Sequence, residues 1–146
     1  MMESLVKNCA FEAVVNNTTA GTTTINSSIV DLGTNGAFDS VCFAAKLGDV
    51  TDKSVITLKA ICGNESDLSD GVEKENVATI TADATSADNK LLILDVIKPG
   101  TRYVKVSIIR ATANAAVESV IAIKYNAKAY PVTQGSGVIH SNISVN

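Results

Sequence analysis

Three cysteines, one histidine and an acidic loop are the parts of this 146-residue chain whose residue types could do chemistry. Cys9, Cys42 and Cys62 are odd in number and widely spaced, with no Cys-x-x-Cys pair and no histidine beside them, which argues against zinc and against a disulfide framework. Cys42 and Cys62 stand in apolar alternating runs, where a free thiol behaves as a small hydrophobe, whereas Cys9 lies in a polar N-terminal segment and is expected to be more exposed. His140 lies in an irregular stretch near the C-terminus, with no nucleophile and no orienting acid in pattern with it, so a triad has no frame. The loop from Glu65 to Gly71 is rich in oxygen ligands but lacks the EF-hand spacing and reads as a solvated acidic hairpin loop. Gly135-Ser136-Gly137 has neither the lysine nor the helix of a phosphate cradle and reads as a linker. The expectation is a protein that is not an enzyme and that uses no cofactor and no metal.

Asp95 interrupts the most apolar run of the chain, residues 91–97. It is expected at a sheet end, capping a turn or pairing with Lys98, Arg102 or Arg110; as half of an acid–base pair it lacks a second half. For contact rather than catalysis, Arg102, Arg110 and Tyr130 are the candidate interface residues, because Arg and Tyr are favoured in contact patches. Tyr103 and Tyr125 are read as core rings flanking a hairpin.

The elements that must position these residues are strands. In residues 38–45, Val41, Phe43 and Ala45 alternate with Ser40, Cys42 and Ala44; in residues 54–62, Ile56, Leu58 and Ala60 fall on one face and Thr57 and Lys59 on the other. The short polar link between the two runs predicts a hairpin. Residues 90–97 are apolar at nearly every position and read as a central strand covered on both faces. Residues 102–111 place Val104, Val106 and Ile108 inward, with Lys105, Ser107 and Arg110 outward or at the rim. Residues 117–126 place Val117, Ile121, Ile123 and Tyr125 together, with Glu118 and Lys124 facing water, and pair with 102–111 as a second hairpin. Asn35-Gly36 is a strong turn signal, and residues 77–81 a short Thr-rich strand.

About eight short strands with no long helix predict a single all-β domain, an antiparallel β-sandwich of jelly-roll type, with an up-and-down barrel as the alternative. Residues 1–10 and 131–146 lack period and are expected to be flexible arms. The formal charge of -3 leaves no basic field for nucleic acid. No run reaches the roughly 18 apolar residues that a membrane helix needs, and the first residues carry neither a basic leader nor an apolar core, so a soluble chain made in the cytoplasm is expected.

The strand at residues 38–43, the second strand at 54–60, the acidic loop at 63–71 and the block at 89–106 resemble small virion structural proteins of tailed bacteriophages, of the head decoration or cement type. The resemblance spans residues 38–131 as strand pattern and short phrases and carries no site residue. It implies a non-enzymatic β domain, made in the bacterial host cytoplasm, that binds the major capsid protein on the outer surface of the assembled head and associates with itself as a homotrimer. The alternative is a carbohydrate- or receptor-binding module of a phage fibre or tail, a reading weakened by the absence of Trp.

Overall fold

The computed structural model describes residues 4–145. One helical turn, α1 (Leu5–Asn8), precedes β1 (Ala10–Val15), β2 (Thr18–Gly21), β3 (Ile25–Asn26), β4 (Val30–Asp31), β5 (Phe38–Val50), β6 (Val55–Gly63), β7 (Val72–Glu73), β8 (Ala78–Thr81), β9 (Leu91–Val96), β10 (Tyr103–Ala111) and β11 (Ala115–Ala127). All pairings are antiparallel and form two sheets. The first runs β1-β11-β5-β9, with β2 continuing β1 along β11; the second runs β3-β10-β6-β7, with β4 continuing β3 along β10 and β8 lying beside β7 on β6. Merging each pair of short pieces leaves eight strand positions. Along the chain these switch sheet at every step except from β6 to β7 and β8, which is the connectivity of a jelly roll and not of an up-and-down barrel. Among the described residues no helix is long and apolar enough to cross a membrane.

The inward faces of β6 and β10 follow their sequence period: Ile56, Leu58, Val104, Val106 and Ile108 are fully buried, as are Val41, Phe43 and Ala45 of β5. Full burial of each large aliphatic side chain stabilises by about 1.5–3 kcal/mol before ordering costs, so these facing rows hold the two sheets together. The turn at Asn35-Gly36 also forms, with both residues at positive φ. At Gly36 a Cβ would lie 2.9 Å from the Val132 side chain, so the site requires glycine for space as well as for backbone.

The structure departs from the sequence pattern at several points. The first concerns the two hairpins: β5 and β6 lie in different sheets, and so do β10 and β11, each strand facing its sequence neighbour across the core. The second concerns β9, which is an edge strand rather than a central one, with Leu91 and Ile93 exposed. The third concerns β11, whose register against β5 shifts between Ala115 and Ser119. A bulge of this kind inverts the face of every later residue. Val120, Ala122 and Lys124 therefore point inward, while Ile121, Ile123 and Tyr125 lie on the outer face of the sheet, so Tyr125 is not a core ring. Tyr103 is only partly buried, beneath the Arg102 guanidinium at 5.2 Å. The fourth concerns Cys9, which is buried; burial raises its thiol pKa, as it does those of Cys42 and Cys62.

Arg110, expected outward or at the rim, shares the parity of Val104, Val106 and Ile108 and instead points inward, 5% exposed. Its guanidinium donates to the carbonyls of Thr23 (2.7 Å), Thr19 (2.9 Å) and Ala115 (2.6 Å) and to Thr23 Oγ1 (3.0 Å), tying the β2–β3 link to the start of β11. Removal strands those carbonyls, so Arg110→Ala should lower unfolding free energy by on the order of 3 kcal/mol in urea denaturation, with little recovery in Arg110→Lys, whose ammonium cannot reproduce the planar fork.

The chain termini meet beside β1. The Gln134 side-chain amide donates to the carbonyls of Val6 (3.0 Å) and Cys9 (2.7 Å) and accepts from the Phe11 amide (3.0 Å), and the Val132 amide donates to Lys7 O at 2.9 Å. Of the two expected arms, then, residues 5–11 and 132–134 are bonded to one another; residues 1–3 and 146 lie outside the described residues.

Candidate functional site

The outer face of the first sheet is assembled from alternate residues of four strands. Register fixes one row as Ala13, Ile121, Ala44 and Ile93, and the next as Phe11, Ile123, Cys42 and Asp95. The first row holds no charge, and the second holds one, at its end. Ala13 and Ile93 are exposed and the remaining apolar members half-buried. Leu91, on the same face of β9, is 62% exposed. Polar pairs bound this apolar field. At one end the Lys46 ammonium lies 2.9 Å from Glu118 Oε2, both partly solvated. At the other, the Tyr125 hydroxyl donates to Asp95 Oδ1 at 2.7 Å. Asp95 is thus tied to a phenol and not to Lys98, Arg102 or Arg110, the partners expected from sequence.

Burial first, and then the hydrogen bond and negative charge of Asp95, push the Tyr125 phenol well above its ordinary value of 10.0. Above pH 10 the unfolded chain releases this proton while the folded chain keeps it, so stability falls as pH rises there. Tyr125→Phe should show a shallower alkaline loss than the parent in denaturation curves taken at successive pH values from 9 to 11.

Arg102 and Arg110 stand at opposite ends of β10, so they do not share a patch. Arg102 is exposed and holds Asp31 with two bonds, Nε to Oδ1 at 2.8 Å and an NH2 nitrogen to Oδ2 at 3.0 Å. That bidentate bond, ahead of smaller contributions, holds the Asp31 carboxyl below its usual range. Tyr130 is 55% exposed beside Ser4, Lys7 and Pro131, at the end where the termini meet, in a surface depression that also takes in Ile143 and Val145. Arg110 is buried with its donors committed to Thr19, Thr23 and Ala115, which leaves Arg102 and Tyr130 as the accessible members of the set. Sequence reading missed the apolar sheet face altogether. Its signal lay in Ile121 and Ile123, large apolar residues on a half-buried face, hidden by the bulge that precedes them.

In the acidic loop, Asp70 accepts from the amides of Asn64 (2.8 Å) and Glu65 (3.0 Å), and Asp67 from that of Ser69 (2.9 Å). These main-chain donors lower both carboxyl pKa values and fold the loop on itself.

Comparison with known proteins adds little to this description. No family model matches the chain, and no curated protein matches it. Three solved chains match; one, from the structure of Eiger TNF from S. frugiperda, is 8% identical and covers 84% of this chain and 95% of its own, with a TM-score of 0.43.

Proposed function

We propose that this protein is a non-enzymatic structural protein of a tailed-bacteriophage virion: a homotrimeric decoration, or cement, protein that binds the major capsid protein on the outside of the assembled head and stabilises it. The observation that carries the reading is the uncharged row Ala13, Ile121, Ala44 and Ile93, which runs across four strands of the sheet and leaves Ala13 and Ile93 exposed and Ile121 and Ala44 half-buried. Extended apolar patches on a folded surface mark contact sites. Around a three-fold axis the same face of three copies converges, and charge repeated three times there would repel, so a field with so little charge suits that packing. In a trimer built on this face, the polar surfaces that carry Arg102 and Tyr130 remain outside and are the candidates for the capsid. The resemblance of residues 38–43, 54–60, 63–71 and 89–106 to decoration proteins supplies the virion setting. A reinforcing protein acts by rigid contact, and the buried rows of β6 and β10, packed against the opposite sheet, give the body its rigidity.

Electron microscopy of virions that carry or lack the protein tests this reading. The expected result is additional density on the outer head surface only when the protein is present, with earlier rupture of heads that lack it on heating. Identical head surfaces in the two preparations, or density confined to the tail or fibres, would overturn it.

A further inference from the structure

The sheet that bears the apolar face ends on an open edge. β9 pairs with β5 on one side and, among the described residues, with no strand on the other. The Leu47 amide donates to the Lys90 carbonyl at 2.9 Å. Because bonded residues alternate along an antiparallel pair, the main-chain groups of Leu92, Leu94 and Val96 face β5, and those of Leu91, Ile93 and Asp95 point to the free edge. An apolar edge left in this state is a template for another strand.

The chain also holds a segment in the complementary state. Across residues 139–145 no main-chain group bonds to another main-chain group among the described residues, and Ile139 (103%), Ile143 (39%) and Val145 (84%) are exposed. In an extended backbone these three and Ser141 fall on one side, with His140, Asn142 and Ser144 on the other. The segment contains no Asp, Glu, Lys or Arg, so nothing in it repels a second strand. Its seven residues match the six of β9.

Position favours a partner over self. Through Gln134 the segment leaves the body beside β1, the opposite edge of the same sheet from β9. Its own β9 lies three strand spacings away, about 14 Å at roughly 4.8 Å each. In copies set edge to edge, the β1 side of one adjoins the β9 side of the next, the kind of head-to-tail contact from which a three-membered ring is built when its rotation closes.

We propose that residues 139–145 of one copy add as a strand to the free edge of β9 in the next, setting Ile139, Ile143 and Val145 beside Leu91 and Ile93. This inference rests on the homotrimeric part of the reading above.

Hydrogen exchange and light scattering on the full chain, on a chain lacking residues 139–146 and on Ile143→Asp test it. The full chain is expected to be trimeric, with the amides of Leu91, Ile93 and Asp95 exchanging about tenfold or more slowly than in either variant. Both variants are expected to be folded and monomeric at concentrations where the parent is trimeric. A trimer that survives the truncation with unchanged exchange at β9 would overturn the added strand and leave the homotrimer standing. A full chain that is monomeric at every concentration would overturn both, and protection of β9 within that monomer would assign the strand to its own copy.

Discussion

Replacing Lys124 with alanine is expected to lower the unfolding free energy by about 2–5 kcal/mol, the range for cutting a large, fully buried side chain down to alanine. Lys124 is fully buried. Its ammonium donates to the carbonyl of Asp31 and to Thr34 Oγ1, both at 3.2 Å, and to Asn35 Oδ1 at 3.3 Å, and it lies 5.2 Å above the Phe38 ring. Glu12 Oε2 stands 3.8 Å away with no hydrogen bond among the described residues. Truncation leaves a cavity and a carboxylate without its cation, and takes one donor from each of three acceptors, of which the Asp31 carbonyl keeps the bond from Thr34 Oγ1 at 3.0 Å. Lys124→Met alone should recover the packing but not the charge balance, and pairing it with Glu12→Gln should recover more. Burial pulls the ammonium pKa below 10.5, against the opposing pull of Glu12 and Asp31. Between that lowered value and pH 10.5 the folded chain has shed a proton that the unfolded chain keeps, so Lys124 makes stability rise with pH in this window, and Lys124→Met removes the rise. Urea denaturation at successive pH values from 7 to 10.5 measures both effects.

Placing a carboxylate at the centre of the apolar sheet face is expected to have the largest effect on assembly. Ile121 lies in the uncharged row between Ala13 and Ala44 and is only half-buried. Ile121→Asp would be solvated in a single copy but desolvated without a partner in an interface, where an unpaired charge costs about 2–5 kcal/mol. Self-association should therefore weaken by about a hundredfold or more, since 1.4 kcal/mol corresponds to a factor of ten. Ala13→Asp, at an exposed position of the same row, should weaken association in the same direction and leaves the fold less at risk. Sedimentation equilibrium of the three proteins gives the association constants, and equal constants would remove this face from the interface.

The parts of the fold that were legible in the sequence are those in which period runs unbroken. β6 and β10 carry no bulge between their partners, so Ile56, Leu58, Val104, Val106 and Ile108 fall inward as alternation requires. β11 was misread because an irregularity before Ser119 exchanges its faces, which turned Lys124 from a solvated residue into a buried one. The connections at residues 51–54 and 112–114 read as hairpin loops because they are short. Sheets in a sandwich lie about 10 Å apart, and a residue spans up to roughly 3.5 Å, so three or four residues can cross the core as readily as they reverse in plane. Length alone could not decide between the two. β9 was read as central because it is apolar on both faces, whereas one of those faces is open. The candidate site was invisible for a related reason: its row draws single residues from β1, β11, β5 and β9, and only register brings them together.

In the proposed homotrimer the outer face of the β1-β11-β5-β9 sheet is where the protein meets copies of itself. Light scattering across a wide concentration range, on the parent chain and on Ile121→Asp, tests this most directly. The account predicts three times the chain mass of 15.2 kDa for the parent and a single chain mass, with native circular dichroism, for the variant. A parent of single chain mass throughout, or a variant as trimeric as its parent, would contradict it.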